Sequence, residues 1–158
     1  AAEIRRDYKD KNPILIGVLN GSFVFLSDLV RAMNIPVEVD FIRVSSYGAC
    51  KETSGKIKLV QGLKIPIKGR HVLVVEDIVD GGLTVSFLLD YLKRRNPASL
   101  ILFTLFDKPS RRKVEVPIDY RGFTIPDAFV VGYGLDCNEQ YRYMPDLCVM
   151  EIGRASFR

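Results

Sequence analysis

His71-Val72-Leu73-Val74-Val75-Glu76-Asp77-Ile78-Val79-Asp80-Gly81-Gly82-Leu83-Thr84 decides the fold. Residues 71–75 are apolar and β-branched after the leading histidine, the composition of a strand covered on both faces. Two adjacent carboxylates follow, then a third, a glycine pair and a hydroxyl. Beyond them Val85, Leu88, Leu89 and Leu92 fall at helical spacing. A strand that turns through glycines into a helix is half of a parallel crossover unit. Such a turn leaves backbone N–H groups free to meet an anion, and the helix N-terminus adds positive potential. Acidic side chains beside an anion site are suited to hydroxyls, a divalent cation or a proton. A ligand carrying a sugar, a phosphate and Mg²⁺ would engage all of these groups.

Working outward, residues 14–19 form a short apolar strand and Asn20-Gly21-Ser22 a turn, after which Phe23, Leu26, Leu29, Val30 and Met33 mark a helix. Residues 37–44 are predicted as a strand, residues 45–56 as a polar mobile loop with two glycines, and residues 57–60 as extended chain. Residues 100–105 repeat the near-continuous apolar pattern, and the intervening helix is closed by Asn96-Pro97. Pro117 and Pro126 bracket an excursion before a strand at residues 129–131. A polar, aromatic loop at 136–143 and a last strand at 147–152 complete the pattern. The expected fold is α/β: a single doubly wound domain over residues 1–158, with a mostly parallel central sheet flanked by helices. Ligands in such folds sit beyond the carboxyl ends of the strands. Residues 19–22, 76–84, 107–108 and 132–142 all follow predicted strands, so four polar turns should share one rim.

The 158 residues are 47% hydrophobic and 27% charged, ordinary for a soluble enzyme. No apolar run approaches the roughly 20 residues of a membrane span. The charged opening at residues 1–10 does not resemble a signal peptide, and a start inside a helical stretch without Met leads us to expect a trimmed N-terminus. Cys50, Cys137 and Cys148 are odd in number and widely spaced, with neither a disulfide framework nor a zinc pattern, so a reducing, cytoplasmic setting is expected. The net charge of +4 is scattered apart from Arg111-Arg112-Lys113, which favours anionic small molecules over nucleic acid. Neither G-x-G-x-x-G nor G-x-x-x-x-G-K-[ST] occurs, which disfavours a dinucleotide fold and excludes a P-loop.

The acidic strand end followed by Asp80-Gly81-Gly82-Leu83-Thr84 resembles the phosphoribosyl-pyrophosphate motif of the type I phosphoribosyltransferases. Leu19-Asn20-Gly21-Ser22, Ser45-Ser46-Tyr47-Gly48, Asp107-Lys108-Pro109-Ser110-Arg111-Arg112 and the run from Ile125-Pro126-Asp127 through Phe129-Val130-Val131 to Leu135-Asp136 narrow the resemblance. Together they are similar to the hypoxanthine-guanine (6-oxopurine) phosphoribosyltransferases, in the expected order over nearly the whole chain. The resemblance implies purine salvage with Mg²⁺, a small hood beside the main sheet, a flexible lid, and a homo-oligomer, dimer or tetramer.

It also implies roles. Glu76 and Asp77 would hold the ribose hydroxyls directly or through Mg²⁺, and Asp80 would be the proton carrier at purine N7. Gly81, Gly82, Leu83 and Thr84 would cradle the 5′-phosphate. Lys108 would donate to the 6-oxo group, Phe129 would stack on the base, and Val130 would contact its edge through the backbone. Asp136 would be a second magnesium-site carboxylate close to the base and pyrophosphate, and Arg142 a pyrophosphate contact. Leu19, Asn20 and Gly21 would form the pyrophosphate loop, whose first peptide bond is often cis in the family. Ser46 and Tyr47 would form the lid tip. Two departures stand out: Gly81 where Ser or Thr is common, and Asn20 where Lys is frequent. Two rivals remain at this point. One is the same transfer to another base, with xanthine or a pyrimidine preferred. The other is a regulator of the same fold that binds RNA or DNA, for which the short basic cluster is slender support.

Overall fold

The computed structural model describes residues 1–46 and 56–151. Its centre is a six-stranded sheet of order β3-β2-β1-β4-β5-β6. The strands are β1 (Ile14–Leu19), β2 (Glu38–Ser46), β3 (Ile57–Gln61), β4 (His71–Val79), β5 (Ser99–Asp107) and β6 (Tyr120–Thr124). All neighbouring pairs are parallel except β2 with β3. The helices are α1 (Ala2–Tyr8), α2 (Phe23–Met33) and α3 (Leu83–Lys93).

Strand alternation divides the core in two. Ile14, Ile16, Val18, Val72, Val74 and Leu102 pack with Leu88, Leu89 and Leu92 of α3. Leu15, Leu73, Val75 and Phe103 pack with Ile4 and Tyr8 of α1 and with Phe25, Leu26, Leu29 and Met33 of α2. Helices on both faces of a mostly parallel sheet make this the doubly wound architecture expected. A separate pair, β7 (Val130–Val131) and β8 (Cys148–Val149), is antiparallel and forms the small hood. No helix of the described residues is long and apolar enough to cross a membrane.

Three expectations need correction. β4 runs four residues past Val75, so Glu76, Asp77, Ile78 and Val79 are strand rather than turn. β5 likewise extends to Asp107, and the two strands stay in register from His71↔Ser99 to Val79↔Asp107. Backbone pairing thus carries the strand through its own carboxylates. Inside the Pro117–Pro126 excursion lies a whole strand, β6, in register with β5 from Phe103↔Tyr120 to Asp107↔Thr124. It is an edge strand whose side chains are mostly exposed, so apolar periodicity does not mark it. Finally, β2 continues through Ser45 and Ser46, which pair with Lys58 and Ile57 and so belong to the strand rather than the loop.

Candidate active site

The carboxyl ends of β1, β4 and β5 bring the four polar turns together. Glu76, pairing with Thr104 at the sheet centre, is only 6% exposed. Its Oε1 accepts from the Asp77 N–H at 3.2 Å, and Asp77 Oδ1 accepts from the Ile78 N–H at 2.8 Å. Burial, then the adjacent Asp77 charge, holds the Glu76 carboxyl well above the usual range, and burial also raises Asp77. Neither carboxylate has an ion-pair partner among the described residues. Two neighbouring acids with no ion-pair partner are matched to a hard divalent cation. Among the described residues no cluster of three or more metal-binding groups exists, so substrate oxygens and water would complete such an ion's shell.

The loop after β1 closes one side of this pair. The Leu19–Asn20 peptide is cis, as the resemblance implied. At Gly21 a side chain would overlap the Asp77 carboxylate, so only glycine lets the loop lie there. Gly134 (φ 96°) packs in turn against the Gly21 carbonyl. Arg142 donates from Nη1 to the Gly134 carbonyl at 2.8 Å and sits 3.2 Å from Asp136 Oδ1. Its charge is also felt at Asp77, whose carboxyl it lowers. Leu19, Asn20, Gly21, Asp77, Asp136 and Arg142 therefore share one corner. Asp136 does not join Glu76 and Asp77 in a single cluster; it forms an ion pair with Arg142 and accepts from the Glu139 N–H at 2.9 Å.

Between β4 and α3, Gly82 is the N-cap with φ 88°, and a Cβ there would strike the Val114 carbonyl. No side chain caps α3, so the first-turn N–H groups at Leu83 and Thr84 face outward as an anion site. The Lys113 and Val114 N–H groups both donate to the Gly81 carbonyl, at 2.8 and 3.1 Å. Arg112 Nε donates to the Asp80 carbonyl at 3.0 Å, and its guanidinium pairs with Asp107. Asp107 is 2% exposed and also meets Arg121 Nε at 2.9 Å. The sequence marks Arg112 only as part of a basic cluster; its buried partner at the end of an apolar strand is the one clue to this anchoring role.

Lys108 is 5% exposed at the tip of β5. Its Nζ donates to the Ala128 carbonyl at 3.2 Å and lies 3.5 Å from Asp80 Oδ2 and 3.8 Å from Asp127 Oδ1. Asp127, which also holds Arg111 at 2.9 Å, was not anticipated. Asp80 Oδ1 is buried with no hydrogen-bond partner among the described residues. An orphan carboxylate oxygen beside a buried ammonium is an acceptor awaiting a proton. Val130 is buried in β7, while half-buried Phe129 binds the Met150 N–H through its carbonyl.

Other candidates fall away from this centre. Ser46 is exposed at the end of β2, while Tyr47 and Cys50 lie outside the described residues. His71 bonds Ser99 at the far end of β4, a structural role. Cys137 and Cys148 are free.

Residues 1–138 match the phosphoribosyl transferase domain family. The chain is 49% identical over 144 residues to a hypoxanthine phosphoribosyltransferase of Haemophilus influenzae, covering 89% of this chain and 80% of that one. It is 50% identical over 149 residues to a hypoxanthine-guanine phosphoribosyltransferase of Dictyostelium discoideum, covering 92% and 83%. Among solved structures, a Staphylococcus aureus hypoxanthine phosphoribosyltransferase superposes with a TM-score of 0.89 at 39% identity, covering 95% of this chain and 82% of that one. A Trypanosoma cruzi enzyme of the same name, complexed with the product IMP, gives 0.87 at 43% identity with the same coverage. From the βα loop of Asp80 to the hood, this chain belongs to the phosphoribosyl transferase domain family.

Proposed function

We propose that this chain is a purine-salvage enzyme that transfers the 5-phosphoribosyl group of 5-phospho-α-D-ribose 1-diphosphate to N9 of hypoxanthine or guanine. One observation carries the assignment: Asp80 has one carboxylate oxygen 3.5 Å from the buried Lys108 ammonium and the other buried without a partner. That pair joins a phosphoribose loop to a base-reading lysine at the distance one heterocycle requires. Supporting it are relatives whose names specify hypoxanthine and guanine, and a structural neighbour holding IMP.

The chemistry follows from these residues. The 5′-phosphate rests on the N–H groups of residues 81–84, with the Thr84 hydroxyl beside them. Glu76 and Asp77 hold the ribose diol and the metal. Mg²⁺ bound there would neutralise charge on the departing pyrophosphate. Gly21 and Arg142 receive that pyrophosphate, the arginine by paired hydrogen bonds. Lys108 donates to the purine 6-oxo group. It has nothing to accept from the 6-amino group of adenine, which would leave its charge poorly paired. Phe129 and Val130 bracket the ring. As N9 bonds to C1, the C1–O bond breaks with its electron pair on pyrophosphate, and the N7 proton passes to Asp80. We further infer a homo-oligomer working in the cytoplasm, the latter supported by free Cys137 and Cys148.

Pyrophosphate release with Mg²⁺ and 5-phosphoribosyl 1-diphosphate tests the assignment across hypoxanthine, guanine, xanthine, adenine and uracil. Turnover confined to 6-oxopurines is the expected result. Turnover with adenine would remove Lys108 from base selection, and silence with every base would sink the function.

A further inference from the structure

The loop between β4 and α3 carries no side chain at Gly81, a position where the resemblance leads one to expect a hydroxyl. The structure shows what borders that gap. A Cβ built on Gly81 would have the Arg111 carbonyl at 3.8 Å and Lys113 Cδ and Cγ at 3.9 Å as its nearest neighbours, ordinary contact distances. A small side chain fits there without a clash, and the aliphatic stem of Lys113 borders it. That stem cannot drift away, because the backbone of residues 112–114 is fastened to the loop. The Lys113 and Val114 N–H groups donate to the Gly81 carbonyl, and Arg112 Nε donates to the Asp80 carbonyl.

The three cations of the cluster differ in what they hold. Arg111 is paired with Asp127, and Arg112 with Asp107. Lys113 is exposed, and its ammonium has no hydrogen bond or ion pair among the described residues. The ammonium lies two bonds beyond Cδ, on a stem that borders the loop leading into the α3 N-terminus. A lysine is suited to an anion there, being a flexible point charge that needs no fixed geometry.

We propose that Lys113 is a phosphate-binding residue, its ammonium closing over Gly81 onto the 5′-phosphate of the phosphoribosyl substrate and of the nucleotide product. The charge on Lys113 takes the place of the hydroxyl that Gly81 lacks. This rests on the phosphoribosyl-transfer assignment made under Proposed function.

Lys113→Met keeps the stem and removes the charge. The expected result is a rise of about tenfold in KM for 5-phosphoribosyl 1-diphosphate, with kcat and the KM for hypoxanthine held within about twofold. Calorimetric affinity for IMP should fall about as much, while that for inosine, which has no phosphate, stays level. Gly81→Ser places its Cβ at ordinary contact distances and should recover most of the loss in the Lys113→Met background. Unchanged KM and IMP affinity in Lys113→Met, with the parent protein active, would overturn the proposal alone. A parent protein that neither releases pyrophosphate nor binds IMP would overturn both the proposal and the assignment beneath it.

Discussion

The phosphoribose half of the rim and its base half are built in opposite ways. The first is nine consecutive residues, Glu76 through Thr84, where the central strand β4 turns into α3. The second is gathered from the end of β5, the segment before β7 and the hood, and its closest tie, Lys108 to the Ala128 carbonyl, spans 20 residues. A contiguous site inherits its geometry from backbone hydrogen bonds. A gathered one depends on a buried cation, Lys108, whose acidic partners Asp80 and Asp127 come from separate segments and stay half exposed. On the proposed assignment, the chemistry would sit where the backbone is most constrained and base selection where side chains decide.

Asp80 touches both halves, so replacing it should produce the largest effect. Asp80→Asn is expected to lower kcat by about 10²- to 10⁴-fold while both KM values stay within a few-fold, measured by steady-state kinetics. Unchanged turnover would remove Asp80 from the proton transfer. Next comes the tie between the halves. Arg112→Ala strips buried Asp107 of one partner and releases the Asp80 carbonyl. It should cost about 3 kcal/mol in denaturant unfolding, since Arg121 remains to pair with the acid.

A smaller effect, on the phosphoribose side alone, concerns pH. Because the folded protein raises the Glu76 pKa above its ordinary 4.5, it binds that proton more tightly than the unfolded chain does. The stability this contributes is complete below about pH 4.5 and is lost as pH climbs from there through the raised folded value. Glu76→Gln should flatten that slope in melting temperature against pH. On the proposed metal role of Glu76 and Asp77, added Mg²⁺ should raise the melting temperature of the parent protein more than that of the variant. The smallest change belongs to the hood. Tyr133→Phe removes the hydrogen bond to Asp28 that ties the hood to α2, at a cost of about 1 kcal/mol with kinetics unaltered. A kinetic defect would instead mean that the two halves communicate through α2.

The same contrast explains what the sequence reveals. β1, β4, β5, α2 and α3 are legible because buried strands and amphipathic helices write their period in apolar residues. The phosphoribose loop is legible because glycines and acids at a strand-to-helix junction have few other uses. Asp127 and Arg112 are not, since a charge in a polar stretch looks solvated and only the folded chain brings Asp127 to Lys108 and Arg112 to buried Asp107. β6 escapes for the converse reason: an edge strand is held by backbone pairing, and its side chains carry no alternation. The extension of β4 through Glu76 and Asp77 is not legible either, because hydropathy is silent about how far two strands stay paired.

Arg142 at rest is held by Asp136 and Glu139, with the Gly134 carbonyl beneath it. On the proposed role of Arg142, pyrophosphate would have to displace two carboxylates that are already in place and would be replaced by them on leaving. The arginine is kept aimed without being left bare, and that competition would shorten the residence of the leaving group.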